Sequence, residues 1–347
     1  MTETGTTQLI SVVVLTWNRK DDLMQALASV YRQSYNQIEV VLIDNDSTDD
    51  TRKAVLDEYP EVKYIRLPYN FGVIEGRNIG IANAKGDLIL LLDDDAEFLS
   101  LDAFITIVDR FACEPELAVM FFDYVLDNGE QWEWSFAYRK SPELVNRELY
   151  STTFVGCAHC IRKKWLDKTG YFKREFFREG EEADYSYRII LNGGRVLYFP
   201  KVKVLHHLNP NQRVHSNQQA YNIAHRTEND LIYLELKEAL ITLAWRLTTA
   251  IPRSLKENWF GGYLLGCWRL FISIPRIFRS RNPLGSEVMS LHRTLRCYAV
   301  LDITSAYEIN SSLRNWIYVR RTHQALGLIG EYSLEELEME QGSINAG

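Results

Sequence analysis

The sequence predicts an α/β fold: a mainly parallel central sheet with helices on both faces, followed by a helical C-terminal extension. Three observations carry this. Short runs rich in β-branched and apolar residues recur at Leu9–Thr16, Glu39–Ile43 and Leu88–Leu92, as expected of strands buried on both faces. Stretches with helical spacing separate them, which implies right-handed strand–helix–strand units. From about Asn217 to Tyr318 the spacing is helical, punctuated by Pro252, Pro275 and Pro283.

Taken in order, Asp21–Arg32 places Leu23, Ala26, Leu27 and Val30 on one helical face. Ser47 and Asp50 form a Ser-x-x-Asp start for a helix running to Glu58. Val62–Leu67 reads as a third strand and Gly76–Ala84 as a short helix. Further strand signals lie at Val119–Phe122, Thr153–Ile161 and Arg195–Phe199, and Glu181–Leu191 reads as a helix. The end of the chain, with Glu331, Glu335, Glu336, Glu338 and Glu340, is an acidic tail.

Composition narrows the function classes. The 347 residues are 46% hydrophobic and 24% charged, which supports a sizeable core and excludes disorder for most of the chain. A net charge of −7 excludes nucleic acid binding by bulk electrostatics. Five cysteines, an odd number, argue against a disulfide framework, and Cys157-x-x-Cys160 lacks the second pair of a structural zinc site. Met1–Gln8 has neither the basic start nor the apolar run of a signal peptide. The longest apolar stretch, Trp259–Ile274, is interrupted by Arg269, so no spanning helix is expected. A reducing, cytoplasmic setting follows.

The chemistry concentrates in Asp93-Asp94-Asp95. Three carboxylates directly after a buried strand repel one another. They lie where an open α/β sheet binds ligands, at the carboxyl end of a strand. A divalent cation with oxygen ligands, Mn²⁺ or Mg²⁺, resolves the repulsion and bridges a diphosphate. A solvated helix-capping turn is the plainer alternative.

The order and spacing of several segments resemble the family 2 glycosyltransferases. The segments are Val12–Arg19, Val41–Asp49, Asn70-Phe71-Gly72, Gly76-Arg77-Asn78-Ile79-Gly80, Gly86-Asp87 and Leu92–Asp95. The resemblance covers roughly residues 9–210. It implies an inverting enzyme with the GT-A fold, a catalytic domain over residues 1–215 and a helical extension over residues 216–330 before the tail at 331–347. It also assigns roles. Thr16, Trp17, Asn18 and Arg19, with Asp44, Asn45, Arg77, Asp93 and Asp94, would bind the nucleotide-sugar. Asp93, Asp95 and His206 would hold the metal. Gly180–Arg188 resembles the family's Glu-Asp-x-Asp segment, with Glu182 as general base and Glu181 and Asp184 beside it; the plainer reading is an acidic first helical turn. The Asp44-Asn45 pair resembles rhamnosyltransferase-like members. The family's processive Gln-x-x-Arg-Trp motif is absent, which implies single addition. A sugar-nucleotide nucleotidyltransferase is one rival, but Thr16–Arg19 is not a Gly-rich phosphate loop. A non-catalytic member is the other, and the intact carboxylates speak against it. The implied partners are a nucleotide-diphospho-sugar donor and a glycan or lipid-linked acceptor.

Five further features are weighed from the residues. Trp132, Trp134, Phe136 and Tyr138 alternate as on a half-buried strand or a sugar-stacking wall. His159 reads as a core residue, and Arg162, Lys163 and Lys164 as a solvated helix start. Arg77 could simply pair with Glu75 on a surface helix. Finally, Ile241–Arg281 combines seven basic residues with a run of Trp and Phe. That pattern suits either an anionic membrane surface or a helical layer packed on the sheet.

Overall fold

A computed structural model describes residues 8–130, 144–176, 178–207, 215–309 and 328–329. The alternating aromatics at 132–138 and the acidic tail lie outside the described residues.

The sheet is parallel through β1 (Ile10–Thr16), β2 (Ile38–Asp44), β3 (Lys63–Arg66) and β4 (Leu88–Asp93), in the order β3-β2-β1-β4. β1 and β4 are almost wholly buried, as their apolar runs require. β5 (Ala96–Phe98) and β6 (Leu117–Val125) follow, then the short β7 (Leu149–Tyr150). β8 (Ala158–Arg162) lies antiparallel between β4 and β6, and β9 (Arg195–His206) runs parallel to β6. β10 (Ala299–Val300) and β11 (Leu328–Ile329) extend the sheet beyond β7.

Helices α1 (Lys20–Tyr31), α2 (Thr51–Glu58), α3 (Gly72–Asn83), α4 (Ala103–Cys113), α5 (Lys163–Thr169) and α6 (Glu181–Leu191) connect the strands. Ser47 does not open α2 as a capping box. Its hydroxyl accepts from Asn18 N–H at 2.9 Å and its own N–H donates to Asp44. Asp49 instead accepts from Thr51 N–H and Oγ1. The expected strand at 153–161 is shorter, because pairing with β4 ends at Leu92–Ala158 and Gly156-Cys157 bend across the end of β4. There Asp93 N–H donates to Cys157 O at 2.8 Å.

Two glycines set the depth of α3. A Cβ on Gly76 would come within 2.4 Å of Leu15 Cδ1, and one on Gly80 within 2.3 Å of Val13 Cγ1. The Gly-x-x-x-Gly spacing therefore lets α3 lie directly on β1.

Helices α7 (His215–Tyr233), α8 (Leu236–Lys256), α9 (Phe260–Ser280) and α10 (Ser286–Cys297) form the C-terminal layer. Pro252 and Pro275 lie inside α8 and α9 instead of ending them. Around Pro275 the buried side chains Leu270, Ser273 and Ile277 hold the helix on its neighbours, so tertiary packing overrides the local break. This layer has its own small core, and Tyr187 of α6 belongs to it, while Tyr185 belongs to the sheet core. α6 is thus clamped between the two.

Candidate active site

The site lies where the C-terminal end of β4 meets the N-terminus of α6, with α3 bridging the two. Arg77 is the bridge. It is buried, its Nη2 donates to Asp93 Oδ1 at 2.6 Å and to Gly156 O at 2.9 Å, and its Nη1 lies 3.7 Å from Glu181 Oε1. Glu75 pairs with Arg174 instead, so the surface pairing with Arg77 is not formed. Burial opposes the Arg77 charge, but Asp93, Glu181 and Glu182 outweigh it and raise its pKa. The neighbouring Asn78 exchanges two hydrogen bonds with the Phe172 backbone, tying α3 to the loop that leads into α6. Each residue of Gly76-Arg77-Asn78-Ile79-Gly80 that the motif specifies thus acts in one junction.

Arg19 compensates the rest of the triplet. Its Nη1 reaches Asp94 Oδ1 at 3.0 Å and Asp95 Oδ2 at 2.6 Å, and the Thr16 hydroxyl donates to Asp94 Oδ2 at 2.8 Å. Burial, with the Asp95 charge second, pushes Asp94 up to about 7. Burial also works upward on Asp95, yet His206 and Arg19 outweigh it and hold Asp95 down at about 2.

His206 and His207 diverge, as successive strand residues do. His206 is buried with Nε2 3.5 Å from Asp95 Oδ1. His207 turns to Glu97 and Asp127. Asp93, Cys157 and His206 offer ligand atoms all within 4.8 Å of one another. A soft thiol suits neither Mn²⁺ nor Mg²⁺, so the donors that fit such a cation are the carboxylates and the imidazole.

On the donor side, Asn18 and Ser47–Thr48 are stitched together: Asn18 Oδ1 accepts from Thr48 N–H at 2.7 Å. Trp17 is 53% exposed beside them, a free aromatic face. Asp44 is buried and accepts from Ser47 N–H and the Tyr64 hydroxyl. Asn45 is spent on the loop after β3. Its Oδ1 accepts from Phe71 N–H at 2.8 Å and its Nδ2 donates to Asn70 Oδ1 and Gly72 O. An aspartate could accept from Phe71 but could not donate to the Gly72 carbonyl.

The three α6 acids separate. Glu181 is buried against Arg77, and burial, then the Glu182 charge, raise its pKa well above the usual carboxylate range. Glu182 is half-buried, and burial, then Glu179, raise it as well. A Cβ on Gly156 would come within 2.6 Å of Glu182 Oε1, so the absent side chain is the space that carboxylate occupies. Asp184 points away. Its fully buried carboxylate takes Lys173 Nζ at 2.6 Å, Arg188 Nε at 2.9 Å and the Tyr233 hydroxyl at 2.7 Å. It does not join the cleft.

The basic residues after β8 are structural. Arg162 caps α4 by donating to the Phe111 and Glu114 carbonyls, and Lys163 donates to Ala84 O. His159 is fully buried in the core, where burial lowers its pKa.

Residues 11–170 match the family described as Glycosyl transferase family 2. They form a family 2 glycosyltransferase domain. A relative from Campylobacter jejuni subsp. jejuni serotype O:2, the GalNAc(5)-diNAcBac-PP-undecaprenol beta-1,3-glucosyltransferase, is 28% identical over 181 residues, covering 50% of this chain and 57% of its own length. The chain spans less than two thirds of the length of several curated relatives it matches. Two solved structures share the fold. The Pyrobaculum calidifontis mannosyltransferase PcManGT, in complex with GDP-Man and Mn²⁺, is 16% identical with a TM-score of 0.56, covering 76% of this chain and 87% of that one. S. aureus TarS 1-349, in complex with UDP-GlcNAc, is 18% identical with a TM-score of 0.56, covering 91% and 92%. The fold of this glycosyltransferase domain is therefore GT-A.

Sequence reasoning missed the places of Gly156, Cys157 and Asn78 in the site. Only Asn78 had a signal, its place inside the glycine motif. The other two reach the site through the bend that leads into β8.

Proposed function

We propose that the protein is an inverting glycosyltransferase that moves one sugar from a nucleotide-diphospho-sugar to a hydroxyl of a glycan or lipid-linked acceptor. The acceptor belongs to cell-surface glycan assembly at the cytoplasmic face of a membrane. The observation that carries this reading is the Arg77 bridge. It joins the acid cluster at the end of β4 to the carboxylates opening α6. The printed acceptor of the Campylobacter relative, an undecaprenol-linked glycan, supports the acceptor class.

In this reading Asp93, Asp95 and His206 hold Mn²⁺ or Mg²⁺. Bound there, the cation supplies positive charge to the departing diphosphate. Arg19 and Thr16 fix the Asp94 and Asp95 carboxylates, and Trp17 stacks on the base. Glu182 takes the proton of the acceptor hydroxyl. Its partial desolvation raises its pKa, which suits a base working near neutral pH. Arg77 beside Glu181 works against the upward push that burial gives both acids.

The test has two readouts. Thermal shifts with UDP-, GDP- and dTDP-sugars plus Mn²⁺ identify the donor, since a ligand that binds only the folded state raises its melting temperature. NMR of the product then reads the anomer. Inverted configuration, with donor binding lost in EDTA or in Asp95→Ala, is expected. Retained configuration, or EDTA-insensitive binding, overturns the corresponding part.

A further inference from the structure

Helix α9 is apolar on two opposite faces, and among the described residues only one of them has a partner. The inner face packs against α7 through small residues. A Cβ on Gly262 would meet Ser216 O at 2.3 Å, and one on Gly266 would meet Ala220 O at 2.9 Å. Leu270, Ser273 and Ile277 continue this buried stripe. The outer face carries Leu264, Trp268, Phe271 and Phe278, spaced at three or four residues once Pro275 is included, with exposures of 54%, 58%, 63% and 75%. A water-facing helix surface is normally polar, and an unbroken apolar stripe along a helix about 30 Å long marks an interaction surface.

Among the described residues the arginines of this region mostly face inward. Arg276 makes two bonds of 2.7 Å to Glu228 and Arg246 pairs with Asp230, while Arg253 stays on the surface in a pair with Glu257. Arg281 donates to the carbonyls of Leu231 and Leu234, and Arg269 lies 4.0 Å over the Tyr221 ring. Lys256 and Arg279 remain exposed near the two ends of the stripe, and α9 contains no acidic residue. The positive charge that the sequence offers to a membrane is largely consumed within the fold, and what stays outside is apolar.

We propose that the outer stripe of α9 seats the protein in the headgroup boundary of a lipid bilayer, with Lys256 and Arg279 meeting anionic headgroups. Two features favour a bilayer over a second protein surface. The stripe is one helix wide and rich in aromatics, and α9 itself carries no acidic residue, while the exposed Lys256 and Arg279 flank it and Glu257 is taken up by Arg253 and Trp259. The idea deepens the reading of a lipid-linked acceptor and rests on it for its purpose. α9 packs on α7, and α7 holds the loop before α6: Asn229 Nδ2 donates to Gly180 O at 2.7 Å, and His225 Nδ1 lies 2.7 Å from Glu179 O. Docking by α9 would therefore fix Glu182 relative to the lipid surface.

The test is co-sedimentation with phosphatidylcholine vesicles, with and without phosphatidylglycerol, at low and high salt. It compares the intact chain with a Phe271→Glu/Phe278→Glu variant. Both side chains are exposed, so the variant should keep its melting temperature and its nucleotide-sugar hydrolysis. We expect the intact chain to pellet with phosphatidylglycerol vesicles and to stay bound in large part at high salt. The variant should partition at least about tenfold less, because two buried aromatic faces are lost. An intact chain left in the supernatant, equal pelleting of the variant, or full release by salt overturns the proposal. So does a lipid-free dimer in sedimentation velocity that the variant converts to monomer without any vesicle binding, which would assign the stripe to a second copy. Vesicle binding as expected without nucleotide-sugar hydrolysis in either protein upholds docking and removes the catalytic reading instead.

Discussion

Glu182 and Asp184 lie two positions apart on one helix and are held in opposite ways. Asp184 is fully buried and saturated: two cations and a tyrosine hydroxyl take up its oxygens. Glu182 is half-buried and undercompensated, with its carboxylate in the space above Gly156 and near the Arg77 guanidinium. A carboxylate whose bonds are all made within the fold is a structural anchor. One left partly desolvated with a raised pKa, beside the acid cluster at the end of β4, is placed for proton transfer. In the acid triplet Arg19 pairs with Asp94 and Asp95, while Asp93 shares Arg77 with the α6 acids.

The sharpest way to break this contrast is to exchange the two losses. Glu182→Gln keeps the size and cannot accept a proton. Turnover should fall between about 10²- and 10⁴-fold while donor binding, read by calorimetry, is retained. Near-normal turnover would move the proton acceptor to Glu181. In the intact protein the base must be ionised. Burial raises its pKa, so turnover is present above that raised value and is lost as pH falls through it. The acid limb of the kcat profile should thus lie above the ordinary glutamate value of about 4.3. A limb at or below that value contradicts the desolvated geometry.

Asp184→Asn should do the reverse. Removing one member of a buried, fully paired cluster costs about 3 kcal/mol. The expected signature is a clear drop in melting temperature, with kcat per folded molecule near that of the parent. A large kcat loss at unchanged stability would place Asp184 in the chemistry after all.

Gly156→Ala is a finer instrument. Its methyl would meet the far end of the Glu182 side chain, which can swing aside at little cost to folding. Stability should change little, while kcat falls roughly tenfold because the carboxylate is displaced. A stability loss without a rate loss would show the backbone, not Glu182, yielding.

The smallest effect belongs to Asn45→Asp. The substitution keeps the acceptor for Phe71 N–H but loses the donor to Gly72 O, at a cost of about 1 kcal/mol. Weaker donor binding, measured by thermal shift, should accompany it. Tighter binding would mean that the position reads the base directly.

The sequence by itself determined the α/β fold, the acid triplet at the end of a buried strand and the α6 helix; that His206 and not His207 is the inward residue came from the structure. The first three are local or periodic properties. A β-branched run, a 3.6-residue spacing and the alternation of a strand are written in neighbouring residues and survive any tertiary arrangement. The glycine spacing around Arg77 was legible as a motif but not as a mechanism, because the close approach of α3 to β1 depends on side chains of Leu15 and Val13 far away in the chain. The tertiary structure decided which charges meet. It turned Arg77 from a surface partner of Glu75 into the buried link between two acid clusters. It drew Asp184 out of the cleft, spent Asn45 on the loop at Phe71, and turned the arginines of the C-terminal helices inward, leaving an apolar stripe outside. Pairing energy between charges depends on distance and burial, and both are set by packing between segments that the sequence places many residues apart.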